Sequence, residues 1–126
     1  MVSVQETERA EKRRRLIAIL DELREGVAVV EGKHDIKALR DLGISAFSYE
    51  TVMRGRSGIL PGARLYILTD IDRRGVEKAE AAYAELSVAN ASCSINRSKG
   101  VALLRMCNAT SVEQIYRPVR EIMEES

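Results

Sequence analysis

The stretch Leu65-Tyr66-Ile67-Leu68-Thr69-Asp70-Ile71-Asp72-Arg73-Arg74-Gly75 limits what this chain can fold into more than any other. An apolar run with the composition of a buried strand breaks off at two carboxylates one residue apart. Two arginines and a glycine then lead into a helical pattern. Side chains two apart in an extended chain share a face. Asp70 and Asp72 therefore aim the same way if extended geometry persists past the strand end. Paired carboxylates repel each other, and a divalent cation relieves the repulsion. Mg²⁺ is held by one or two carboxylates together with waters and substrate phosphates. The stretch predicts a Mg²⁺ site, with Mn²⁺ able to substitute, that acts on phosphate.

The rest of the chain supplies a frame for such a site. Val2 to Arg24 is expected to be helical, with Leu16, Ile19, Leu20 and Leu23 on one face. Gly26 is expected to end it in the left-handed conformation that glycine accepts at a helix C-terminus. Within that helix, Lys12-Arg13-Arg14-Arg15 reads either as a phosphate contact or as a solvated face beside Glu6, Glu8 and Glu11. Val27-Ala28-Val29-Val30 is a continuous apolar run, suited to a strand covered on both faces. It stops at Glu31-Gly32-Lys33-His34-Asp35, and a short helix through Ile36, Leu39 and Leu42 is closed by Gly43. A weaker strand is expected near Ala46-Phe47-Ser48-Tyr49, then a basic, glycine-rich loop, Arg54-Gly55-Arg56-Ser57-Gly58, and a turn at Pro61-Gly62. The central strand, Leu65 to Thr69, precedes a helix over Gly75 to Leu86. Ser92 to Ile95 fits a last strand and Lys99 to Met106 a helix. Thr110 and Glu113 have capping-box spacing for a final helix, in which Pro118 predicts a kink or a shortening.

Strands alternating with helices argue for an α/β fold of about four mainly parallel strands flanked by helices. A length of 126 residues fits one domain. We divide it into an N-terminal helix over 1–25, a core over 26–96 and C-terminal helices over 97–126 that complete the same unit. A net charge of +1 does not by itself point to nucleic acid. No apolar run approaches the roughly 20 residues of a membrane helix, so no membrane partner is expected. Cys93 and Cys107 lack metal-type spacing and fit reduced thiols, which makes a cytoplasmic location the expectation.

The placement of the acids matters more than their number. Glu31 follows one apolar strand, and Asp70 and Asp72 follow another. Ligands of open α/β sheets bind beyond the carboxyl ends of the strands, where strand order reverses. Two neighbouring parallel strands would bring Glu31 and the aspartates to one rim. Polar residues also resume at any strand end, which is the plainer account of each acid taken alone. Val29-Val30-Glu31-Gly32-Lys33 with Asp35, followed by Ile67-Leu68-Thr69-Asp70-Ile71-Asp72-Arg73-Arg74-Gly75, resembles the Toprim domain. That family is shared by type IA and type II topoisomerases, bacterial-type primases, old-family nucleases, recombination-repair proteins and a ribosomal RNA maturation nuclease. The sequence is most similar to small stand-alone, archaeal-type Toprim proteins, and the resemblance spans about Val27 to Ile95.

The resemblance implies a Toprim, Rossmann-like fold. It implies Glu31 as general acid or base that also helps hold metal, Asp70 and Asp72 as Mg²⁺ ligands, and Gly32 and Gly75 as structural turns. Beside the acids, Lys33, Arg73 and Arg74 either bind phosphate and nucleic acid or merely balance charge. Arg54 and Arg56 lie where glycine lets backbone approach an anion, or in a plain surface loop. His34 is the only histidine and reads as an exposed helix-start residue. Asp35 suits a helix N-terminus on dipole grounds alone and is a secondary site candidate. Tyr49, Tyr66, Tyr83 and Tyr116 all sit in ordinary strand or helix patterns, so a topoisomerase nucleophile is not expected. The expected function is Mg²⁺-dependent action on RNA or DNA, foremost phosphodiester cleavage by a nuclease, with RNA processing as one setting. The alternatives are a non-catalytic module binding nucleic acid or a protein partner in repair, replication or RNA metabolism, and primase-like nucleotidyl transfer.

Overall fold

The computed structural model describes residues 3–124. Helix α1 (Val4–Glu25) leads into strand β1 (Val27–Val30), and helix α2 (Lys33–Arg40) connects it to β2 (Ala46–Ser48). A one-turn helix, α3 (Tyr49–Met53), and a loop return the chain to β3 (Arg64–Ile67). Helix α4 (Arg73–Ala89) then crosses to β4 (Ser94–Asn96), and α5 (Ser98–Met106), a 3₁₀ turn (Val112–Gln114) and α6 (Tyr116–Glu124) follow. The four strands form one parallel sheet in the order β2-β1-β3-β4. This is the α/β class expected, and the order is consistent with a Rossmann-like fold. The chain winds outward from β1 to β2, then returns to the opposite side of β1 for β3. Strand order therefore reverses between β1 and β3, the two strands that end near Glu31 and Asp70.

Alternation along the strands explains why both faces are buried. Ala28 and Val30 of β1 and Tyr66 of β3 join Leu16, Leu20, Leu23, Leu39, Leu103, Leu104 and Ile115 in the larger core. Val29, Leu65 and Ile67 point the other way, into a smaller core with Val52, Ala79 and Leu86. One face thus carries α1, α2, α5 and α6, and the other only α3 and α4.

Several local expectations are corrected. Gly26 is extended at φ −121°, not left-handed. Its lack of a side chain matters because a Cβ would sit 2.5 Å from the Arg64 carbonyl oxygen and 2.6 Å from the Tyr66 ring. Thr110 does not cap a helix: the segment forms a 3₁₀ turn, with Ser111 in the cap position and no side-chain bond. Pro118 sits in the first turn of α6, where no intrahelical N–H donor is required, so it marks a late start to that helix rather than a kink within it. Val2, the expected start of α1, lies outside the described residues. At its first turn Ser3 and Glu6 form a reciprocal capping box.

Candidate functional site

At the carboxyl ends of β1 and β3 lies an open crevice of about 460 Å³. Glu31 enters it from the end of β1, Asp35 from the first turn of α2, Asp70 from the loop after β3, and Glu113 from the 3₁₀ turn. Lys78, on α4, is the cation among them: its Nζ lies 3.2 Å from Glu31 Oε2. His34 is exposed and lines the same crevice.

Each acid is held by a local feature. Gly32 is the N-cap of α2 and donates its N–H to Asp35 Oδ2 at 3.3 Å, which aims that carboxylate back over the strand end. Asp70 Oδ1 accepts the Val112 N–H at 3.1 Å, and the Ile71 N–H bonds to the Thr110 carbonyl at 3.0 Å. The loop after β3 is therefore stitched to the C-terminal segment. Asp35 shows the cost of the clustering. Partial burial pushes its carboxyl above the usual range, the Gly32 bond pulls it back, and Asp70, Glu31 and Glu113 push it up again.

Asp72 goes elsewhere. Its Oδ1 accepts the Gly75 N–H at 2.6 Å, making Asp72 the N-cap of α4, and it does not line the crevice. Extended geometry does not carry Asp70 and Asp72 forward as a facing pair, because the chain turns into α4 at Asp72. Gly75 is buried beneath this turn, and a Cβ there would collide with the Asp70 backbone. Its role is close approach. Thr69 completes the turn by donating its hydroxyl to the Gly75 carbonyl at 3.0 Å.

The expected phosphate-binding residues spread over the surface. Lys33 opens α2 and is exposed. Arg73 and Arg74 open α4, both exposed, with Arg73 pairing with Glu77 at 3.6 Å. Arg54 pairs with Glu50 at 2.6 Å, and Arg56 is exposed in the following loop; neither lines the acidic crevice. Among the described residues, no group of three or more His, Cys, Asp or Glu side chains is arranged to hold a metal ion.

No family model matches this chain, and no curated protein does either. Among solved structures, a protein from Aquifex aeolicus is similar, with a TM-score of 0.59 and 24% identity over 84% of this chain and 96% of that one. At this identity the similarity speaks for the fold alone.

The sequence pointed to Glu31, Asp35 and Asp70 but not to Lys78, Ser111 or Glu113. Lys78 was within reach of helical periodicity. Gly75, Ala79 and Leu86 form the buried stripe of α4, and position 78 flanks it on the side of β1. Glu113 and the Val112 N–H reach the rim through a tertiary contact with no local signature. The described helices include none long and apolar enough to cross a membrane.

Proposed function

We propose that this rim binds a divalent cation and acts on the phosphodiester backbone of nucleic acid, with cleavage as its reaction and RNA processing as one setting. The observation that carries the reading is the arrival of Glu31 and Asp70, from the two strands at the reversal point, at one crevice that also receives Asp35. The order and strand-end placement of the two Toprim-like motifs support it. The donors are all carboxylate oxygens, the hard set that Mg²⁺ and Mn²⁺ prefer. Asp72 has one oxygen engaged in capping, so the residues suit an ion held by one or two carboxylates and otherwise by water and substrate. They do not suit a closed protein cage.

On this reading Asp70, with Glu31, holds the cation, which supplies charge neutralisation at the phosphate. Asp72 has a second role as the residue that fixes the turn. The Val112 N–H fixes one oxygen of Asp70 and leaves the other free to turn toward the crevice. Glu31 moves a proton to or from the reacting oxygen, with Lys78 holding its carboxylate in place. Lys33, Arg73 and Arg74, exposed at the starts of α2 and α4 rather than in the crevice lining, are the side chains that would steer phosphate toward it. The two cysteines are free, which supports a reducing, cytoplasmic setting.

Binding of Mn²⁺ followed by paramagnetic relaxation of water tests the first half. Asp70→Asn is expected to abolish it; binding unchanged in that variant refutes the site. Cleavage of a structured RNA and a DNA hairpin, with Glu31→Gln as the comparison, tests the second. One observation favours a rival, non-catalytic module. Lys78, the one lysine or arginine among the described residues that line the crevice, is already paired with Glu31. Mn²⁺ binding without cleavage of any nucleic acid, together with retention of one protein partner, supports that rival.

A further inference from the structure

The Glu31–Lys78 pair also lines a second cleft of about 330 Å³ that adjoins the acidic crevice. This cleft lies on the thinly covered face of the sheet, between α3 and α4. Its floor is Val29 and Ile67, and its walls are Ala81, Ala82 and Tyr49. We propose that this cleft holds a single unstacked nucleobase of a nucleotide whose phosphate lies over the acidic crevice. The inference rests on the reading of the rim as a phosphodiester site and names the part of the substrate that the rim leaves unrecognised.

Size, charge and position carry it. A volume of about 330 Å³ is at the small end of ligand pockets, enough for one ring system but not for a helix face or an added strand. The polar groups at its mouth are already matched: Glu31 with Lys78, Glu50 with Arg54, and Glu85 with the Tyr49 hydroxyl. No uncommitted cation is left there to attract phosphate, so the cleft suits a neutral, flat group. Carboxylate oxygens of Glu50 and Glu85 at the edge retain capacity to accept from ring amino groups. An aromatic wall such as Tyr49 accepts any base by its face, which gives sequence-tolerant binding. The shared Glu31–Lys78 boundary places the two cavities side by side, as the base and phosphate of one nucleotide require.

Methyl NMR of the full chain titrated with adenosine, without divalent cation, tests the proposal. Saturable shifts are expected at the Val29, Ile67 and Ala82 methyls. Ala81→Leu fills the mouth from an exposed helix position and is expected to weaken binding about tenfold, within the range that single-base contacts contribute. Ala81→Ser leaves the space open and is expected to bind like the parent. Absent or scattered shifts, or unchanged binding by Ala81→Leu, overturn the proposal. So do shifts at these methyls with N-acetyl-leucinamide but not adenosine, which would assign the cleft to a partner's apolar side chain. Adenosine carries no phosphate, so the outcome is independent of the metal. Adenosine binding without any Mn²⁺ binding refutes the metal reading and keeps the cleft. Mn²⁺ binding without adenosine binding does the reverse.

Discussion

At the scale of single residues, the turn after β3 shows two neighbouring acids doing different work. Asp72 caps α4 through Gly75, while Asp70 faces the crevice. Loss of a helix cap costs about 1 kcal/mol, so Asp72→Ala is expected to destabilise the fold by that amount in urea unfolding, and Asp72→Asn by much less. A loss of Mn²⁺ binding in Asp72→Asn, with the cap preserved, would assign Asp72 to the metal as well. Gly75→Ala forces a Cβ into the Asp70 backbone and is expected to destabilise more than Asp72→Ala while displacing Asp70 from the rim. Asp35 gives a pH signature. Its folded carboxyl titrates above the ordinary value of 3.8, so the folded state holds the proton more tightly than the unfolded chain. Its contribution to stability therefore falls as pH rises through that window, and the ionised carboxylate is unfavourable above it. In chelator-treated protein, Asp35→Asn keeps an oxygen for the Gly32 N–H and is expected to raise the melting temperature at neutral pH, with the gain fading in acid. A lower melting temperature at neutral pH would contradict this account.

At the scale of elements, what could be read in advance followed chemistry that is local in sequence. Val27 to Val30 and the Leu65 run announced their strands through continuous apolar composition, and α4 through its small-residue stripe. Helix α3 was hidden because Tyr49-Glu50-Thr51-Val52-Met53 is too short for a period to register, and the Ser48 hydroxyl that caps it reads equally as a strand end. The Thr110–Glu113 spacing is not used as a cap for the opposite reason: the segment is a 3₁₀ turn packed against α2, a tertiary contact that local spacing does not encode. Helix α1 divides at Leu16. From there on, Leu16, Leu20 and Leu23 pack on the body, whereas Val4 to Lys12 is exposed on every side. Removing residues 1–11 is therefore expected to change unfolding stability by less than about 0.5 kcal/mol, the usual range for surface changes. A larger loss would mean that the projecting turns touch the body in solution.

At the scale of the whole molecule, the two faces of the sheet are unequal, and each inequality bears on the rim. The thinly covered face leaves the apolar cleft open, while the heavily covered face braces the rim from behind through Ile115, Val112 and Leu104. Ile115 is fully buried, and Ile115→Ala is expected to cost about 2–5 kcal/mol. If the rim holds metal as proposed, the substitution should also weaken Mn²⁺ binding, because the 3₁₀ turn that holds Asp70 ends at Ile115; unchanged metal affinity would show that the brace is dispensable. The C-terminal helices within 97–126 are packed into the larger core with α1, β1 and β3 and supply part of the rim. Asp70 is oriented by an N–H that lies 42 residues further on. Strands β1 and β3 are complete by Ile67, yet the N–H that orients Asp70 arrives only with Val112, so the rim is a long-range feature laid on a locally encoded sheet.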